Sequence, residues 1–286
     1  MSWARRFDRL GARRVDEVAL LNTRAGLEWF ETRSGRVRVR RSPSNTGPRL
    51  LLATDAPNVL EHYDDLLSCL RGRADVVIFE PPGTGGSIPT SDFDYSLDAF
   101  VGATADVLER VAPRTLVFPC YTGYVGLELA RAKPSSVETV VTPQTPEWAG
   151  MLAWLERVDP QRFLRTPILG QLLNRARRAD IIQGWYRASA ADRALATQFR
   201  TCAHEPLSHG GNFCLASMMQ GFGRGVSDIS THVSQRRCVP YGPKDRTHRA
   251  EHFAASDVIR FEGCGHAPEI EAPEQFTDWL ITWLAS

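Results

Sequence analysis

The sequence predicts an α/β protein: a mostly parallel sheet flanked by helices, with an α-helical insertion late in the chain. Three observations lead there. The short apolar runs at 49–53 and 75–79 read as strands buried on both faces. Such runs alternate with helical stretches of about 10–15 residues, the pattern of parallel strands joined by crossover helices. Residues 146–214, by contrast, lack any apolar β run, are rich in aromatics, and are broken at Pro160, Pro167 and Pro206.

Taken in order, residues 1–24 read as an irregular or helical lead-in. Strands at 27–32 and 37–41 flank Ser34-Gly35 and predict a hairpin. The basic run Arg36-Val-Arg-Val-Arg-Arg41 alternates, which fits a strand with a solvated face better than a phosphate patch. A buried strand at 49–53, a helix over 57–70 and a second buried strand at 75–79 follow. Over 95–111, Leu97, Phe100, Val101, Thr104, Val107, Leu108 and Val111 share one helical face. The run 115–118 is the next strand. A proline and a tight turn then lead to a helix read as starting over 125–131, and 137–141 forms another strand. After the insertion the alternation resumes near Phe213, with strands at 237–241 and 258–261. Pro273 opens a last helix with Phe276, Trp279, Leu280, Trp283 and Leu284 at helical spacing. The chain divides into a core segment over 1–145, a helical cap over 146–214 and a second core segment over 215–286.

Composition bounds the function. With 286 residues, 43% hydrophobic and 23% charged, the chain is a globular protein able to bury one large core. A net charge of +1 and scattered arginines argue against nucleic acid. No window approaches the ~20 apolar residues of a membrane span, and the charged N-terminus lacks the apolar run of a secretory signal. Cys69, Cys120, Cys202, Cys214, Cys238 and Cys264 are widely spaced with no C-x-x-C pair. They read as reduced thiols of a cytoplasmic protein, without structural zinc. His248 and His252 lack the intervening Glu of His-Glu-x-x-His and read as surface residues. No metal or other cofactor is expected. The expected partner is a small-molecule substrate, with neither nucleic acid nor membrane, and the sequence leaves monomer and homodimer both open.

Four stretches carry a resemblance. Ala53-Thr-Asp-Ala-Pro-Asn58 follows a buried strand; Phe79-Glu-Pro-Pro-Gly-Thr-Gly-Gly-Ser87 follows the next. The run 114–124, Arg-Thr-Leu-Val-Phe-Pro-Cys-Tyr-Thr-Gly-Tyr, is a strand entering a helix through a sharp turn. Tyr241-Gly-Pro-Lys-Asp245 and Gly263-Cys-Gly-His266-Ala-Pro close the set. Together, and in this order, they resemble the α/β-hydrolase fold from about Leu27 to Ser286. The resemblance implies an oxyanion loop at Thr54-Asp55, a nucleophile elbow at 114–124, and an acid and a histidine at Asp245 and His266. It also marks Gly83-Thr-Gly-Gly86 as a structural turn; the Gly-Lys-Ser/Thr ending of a phosphate loop is missing.

Two departures shape the expected chemistry. Counting back two residues from Gly123 puts Tyr121 at the nucleophile position. A phenol, with a pKa of about 10, is a weak acyl nucleophile at neutral pH but a good hydrogen-bond donor; a packing or substrate-orienting residue is the plain alternative. At the oxyanion loop, Thr54-Asp55 replaces the family's His-Gly. A carboxylate there repels an oxyanion, and in an apolar pocket it could act as a base; the plain alternative is an Asp that caps the following helix. Cys120 lies one residue early by this count, pointing away from the histidine, and the backbone N–H of Thr122 remains an oxyanion donor. The reading is therefore a non-hydrolytic enzyme that performs cyclisation, addition–elimination, isomerisation or carbon–carbon chemistry on a small apolar molecule. His266, backed by Asp245, moves the proton and Tyr121 stabilises the oxygen anion, while Trp148 and Trp185 of the cap meet the substrate. A hydrolase using Cys120 or His266-activated water, and an inactive small-molecule receptor, are the competing readings.

Overall fold

The computed structural model describes residues 7–8, 15–44, 46–253 and 258–286. The N-terminal signal reading and most of the lead-in over 1–14 lie outside the described residues. The strands are β1 (Leu27–Thr32), β2 (Gly35–Ser42), β3 (Arg49–Ala53), β4 (Asp75–Phe79), β5 (Thr84–Gly85), β6 (Ile88–Pro89), β7 (Thr115–Val117), β8 (Thr139–Val141), β9 (Asn212–Phe213), β10 (Arg236–Tyr241) and β11 (Val258–Arg260). The helices are α1 (Glu17–Leu21), α2 (Asp64–Leu70), α3 (Leu97–Val111), α4 (Cys120–Ala132), α5 (Trp148–Val158), α6 (Leu169–Ala176), α7 (Arg178–Ser189), α8 (Arg193–Ser208), α9 (Leu215–Gly221), α10 (Pro268–Glu271) and α11 (Pro273–Ala285).

The main sheet runs β1-β2-β4-β3-β7-β8-β10-β11, with β6 pairing β2. Pairs β1–β2 and β2–β4 are antiparallel, and every pair from β4 to β11 is parallel. Alternation within the buried strands explains the two-faced core. Leu51, Ala53, Val77, Phe79, Leu116 and Val140 point to one face, where α3 and α4 pack. Leu50, Leu52, Val76, Ile78, Val117 and Val141 point to the other, against α2 and α11. Apolar residues on both parities are what a covered parallel strand requires. Among the described residues no helix is long and apolar enough to cross a membrane.

Four expectations need correction. The stretch 57–70 starts as a 3-10 turn at Leu60 and becomes α-helical only at Asp64. The helix after the elbow begins at Cys120, five residues before Val125. The strand near Phe213 pairs with β5 outside the main sheet, which resumes only at β10. Finally, β2 is not simply solvated on one face: Arg38 is fully buried against Glu61 at 2.6 Å and Glu80 at 3.5 Å. An ion pair makes that burial tolerable. Glu80 also accepts the N–H of Gly86 at 2.6 Å, so the glycine turn of 83–86 wraps around this carboxylate.

Candidate active site

Strands β3 and β7 are neighbours, yet β4 lies between them in the chain, so the sheet reverses its winding direction there. In an open α/β sheet the crevice beyond the strand ends at such a point is where ligands bind. Asp55 leaves the end of β3 and Cys120 the end of β7, and topology alone brings them together.

The elbow is real but its register differs from the one read by counting back from Gly123. Cys120 is the first residue of α4 and has φ 48°, a left-handed conformation that a non-glycine residue adopts at a cost of roughly 1–3 kcal/mol. Its N–H donates to Pro143 O at 2.8 Å and its carbonyl accepts from Thr145 Oγ1 at 3.0 Å, which hold the turn in place. Cys120, not Tyr121, therefore occupies the nucleophile position. Gly123 is a glycine for another reason: a Cβ there would meet Thr145 Oγ1 at 2.1 Å. The thiol does not point away from the histidine. Cys120 Sγ, a ring nitrogen of His266 and a carboxylate oxygen of Asp55 lie within 4.8 Å of one another.

Behind them, His266 Nδ1 sits 3.0 Å from Asp245 Oδ2. Asp245 also accepts from Thr247 N at 2.8 Å, Thr247 Oγ1 at 2.7 and 2.8 Å, and Gln144 Nε2 at 2.8 Å. The loops carrying the pair touch backbone to backbone. A Cβ on Gly242 would meet Gly265 O at 1.8 Å, and one on Gly265 would meet Ser189 O at 2.1 Å. Both positions admit glycine alone without movement.

On its other nitrogen, Nε2, His266 faces Asp55 Oδ2 at 3.5 Å. Asp55 is buried, and neither of its oxygens completes a hydrogen bond of good geometry. Its side chain caps no helix; only its carbonyl accepts, from Asn58 N at 2.8 Å. Burial raises the Asp55 pKa, opposed by His266 and by the backbone amide of Tyr121. Burial also pushes the Cys120 thiol up to about 11, with Asp55 adding to the rise. Burial by itself would lower His266, but Asp245 and Cys120, with the Asp245 and Asp55 hydrogen bonds, outweigh it and leave the imidazole well above 6.5. Asp245 falls below 3.8 because His266 and its other partners overcome the effect of burial. Asp245 and Asp55 thus flank the imidazole, and burial disfavours the charged form of both Asp55 and the neighbouring thiol. Among the described residues, Asp55, Cys120 and His266 are the one cluster spaced for a metal ion, and His266 Nε2, like both Asp55 oxygens, is buried without a hydrogen bond of good geometry.

Asp55 and Cys120 border a cavity of about 700 Å³, large enough for a small organic molecule. Asp55, Cys120, Tyr121, Trp148, Trp185 and Thr247 line it, whereas His266 and Asp245 lie behind. Tyr121 packs edge-on against Phe100 at 5.8 Å and Phe222 at 5.6 Å, with its hydroxyl buried and unpartnered. Burial raises its pKa well above 10, so it stays a donor. Trp148 packs on Tyr124 at 5.3 Å, and Trp185 lies edge-on to His266 at 5.0 Å. Thr54 is buried beside Asp55 with its hydroxyl unpartnered, outside the cavity wall. Thr122 is no oxyanion donor, since its N–H is spent on Pro119 O at 3.0 Å.

Three residues were missed. Thr247 and Gln144 hold Asp245, and nothing but their places in loops after β10 and β8 signals this. Glu269, on α10, is fully buried with both oxygens unpartnered, and burial pushes it up to about 8. His248 is not a surface residue: it is buried 5.7 Å from His266, and burial and then His266 push its pKa down to about 3.

The sequence model of the Alpha/beta hydrolase family matches residues 56–279. No curated protein matches the sequence. Among solved structures, an epoxide hydrolase from an endophytic Streptomyces superposes with a TM-score of 0.71 at 15% identity, over 92% of this chain and 96% of that one. The loop variant DbeA-M1 of a haloalkane dehalogenase from Bradyrhizobium elkanii gives 0.70 at 14% identity, over 91% and 96%. An epoxide hydrolase of Bacillus megaterium gives 0.68 at 13% identity, over 91% and 100%. At such identities the likeness speaks for the fold.

Proposed function

The chain belongs to the alpha/beta hydrolase family, and from that premise we propose that it is an enzyme of acid–base chemistry that forms no acyl-enzyme. Its substrate is a small, largely apolar molecule, and the reaction is a cyclisation, addition–elimination, isomerisation or carbon–carbon bond formation or cleavage. The helical segment 146–214 serves as a cap over the core segments 1–145 and 215–286.

One observation carries this reading: Asp55 lines the cavity while its carboxylate faces His266 Nε2 at 3.5 Å. Between Asp55 and Cys120, Asp55 is the better base: burial pushes the thiol up to about 11, while the hydrogen bond and charge of His266 oppose the rise at Asp55. A substrate in the cavity therefore meets a carboxylate base, with the imidazolium behind it compensating the charge. Asp55 removes a proton, the phenol of Tyr121 donates to the oxygen on which negative charge develops, and the Asp55 carboxyl returns the proton. Asp245 keeps the imidazole charged and oriented. The same carboxylate opposes acyl transfer, because it stands where an oxyanion would form and disfavours a thiolate on Cys120.

A second reading has its own observation. Cys120 sits at the elbow with φ 48° and its thiol close to His266, the arrangement of a nucleophile with its base. The structural neighbours include two epoxide hydrolases and a haloalkane dehalogenase, which favours hydrolysis as the reaction class; with Cys120 as the nucleophile the bond cleaved would be an ester or thioester.

Proton transfer is measurable as deuterium uptake from heavy water into a panel of apolar ketones and enones. Asp55→Asn is expected to slow uptake by roughly 10²–10⁴-fold, and Cys120→Ala to leave it within about threefold. An acyl adduct on Cys120 after treatment with 4-nitrophenyl esters or acyl thioesters, with turnover lost in Cys120→Ala, would replace this reading with the second.

A further inference from the structure

We infer that the molecule entering this cavity carries an anionic oxyacid group, a carboxylate or a phosphate, on its apolar body, and that Arg157 and Arg246 hold that group at the mouth. The inference rests on the cavity being the substrate chamber, but not on which group moves the proton.

Charge around the cavity is lopsided. Among the described residues its lining includes a single carboxylate, the buried Asp55, and four arginines. Arg165 is compensated by Glu156 at 2.7 Å and Asp159 at 3.3 Å. The other three, Arg157, Arg224 and Arg246, are exposed and among the described residues bond only main-chain carbonyls. Acidic and basic residues are almost equal in number over the chain, 33 against 34. Three guanidiniums on the rim of one apolar cavity are therefore a local excess that no carboxylate among the described residues pairs with.

Their tethers fix where an anion would sit. Arg157 Nη2 donates to the carbonyls of Arg246 and Thr247, which docks its guanidinium on the loop that carries the second arginine. Arg246 in turn donates to the carbonyls of Arg187 and Ala190 at the end of α7. A guanidinium has five N–H donors, and these bonds use few of them, so both keep a fork free for an oxyanion. Thr247, the residue they flank, also joins Asp245 to His266. An anion at this rim leaves the apolar body between Trp154, Trp185 and Met218, directed down to Asp55. A neutral molecule would gain from the apolar wall alone, whereas an anion would also be drawn in by the rim.

Trp148, Trp154 and Trp185 line the cavity, so their fluorescence reports filling. The probes are decanoate, decyl phosphate and decanol. At low salt, decanoate or decyl phosphate should bind at least about tenfold tighter than decanol, with the advantage shrinking as salt is added. The tighter of the two anions identifies the oxyacid. In the double variant Arg157→Gln/Arg246→Gln the anions should fall to the affinity of decanol, while decanol itself is unaffected and so shows that the cavity has survived. Arg157→Lys, which keeps charge but not the fork, should retain part of the preference. Equal binding of decanol and both anions by the natural protein, or a preference that persists in the double variant, would overturn the inference. No turnover enters the measurement, so a failure of Asp55 as the base is seen separately.

Discussion

His266 has two ring nitrogens, and the protein treats them in opposite ways. On the Nδ1 side, Asp245 receives the imidazole together with Thr247 and Gln144, and the loops beneath are packed so closely that two glycines are obligatory. On the Nε2 side, Asp55 and the Tyr121 hydroxyl are buried without a good partner. Buried polar atoms are normally hydrogen-bonded, and exceptions call for an explanation. The satisfied half holds a charge in place. The unsatisfied half borders a cavity, where a bound molecule can supply the missing partners. Order on one side and unmet valence on the other is how a site can be rigid and still favour a ligand.

The comparison can be broken first on the satisfied side. Gly265→Ala forces a Cβ to within 2.1 Å of Ser189 O and 2.7 Å of Ala191 N, both backbone atoms that cannot swing aside. The expected loss is at least about 3 kcal/mol of stability in urea denaturation, with deuterium uptake abolished. A variant as stable as the natural protein would mean that the two loops are not locked together. Thr247→Val keeps the shape and removes the hydroxyl shared by Asp245 and His266. It should cost about 1–3 kcal/mol by the same measurement, the range for an unsatisfied buried partner. No change would show that Gln144 and the backbone N–H at position 247 suffice to hold the acid.

How much of this was legible beforehand depended on the kind of signal. Strands such as β3 and β4 declare themselves because burial on both faces demands an unbroken apolar run, and Asp245 and His266 follow recognisable loops. The elbow is legible in the sequence but its register is not, because Gly123 suggests the turn whereas its glycine answers to Thr145 across the next loop. Counting forward from the end of β7 would have reached Cys120. Arg38 reads as solvated in the sequence because one strand's alternation does not reveal that Glu61 and Glu80 pack against it. His248, Thr247 and Gln144 act through tertiary contacts that leave no local pattern. Asp55 was noticed as a departure, but only the winding reversal between β3 and β7 explains why it meets the imidazole.

The smallest expected effect is the sharpest test of the unsatisfied side, because its sign is opposite. Asp55 is harder to ionise in the folded protein than in the unfolded chain, where its carboxyl titrates near 3.8. The stability that this group contributes is complete below that pH and is lost as pH rises through its raised folded value, because the unfolded chain ionises first. Asparagine fits the same space and does not titrate. Asp55→Asn should therefore match the natural protein in urea denaturation at the acid end of this window. It should gain on it as pH rises and level off above the folded pKa of Asp55, ahead by about 0.5–2 kcal/mol. Activity lost while stability is gained is the mark of a charge kept for chemistry. If Asp55→Asn were the less stable protein at neutral pH, its attraction to His266 would outweigh its burial, and Asp55 would belong with Asp245 as part of the scaffold.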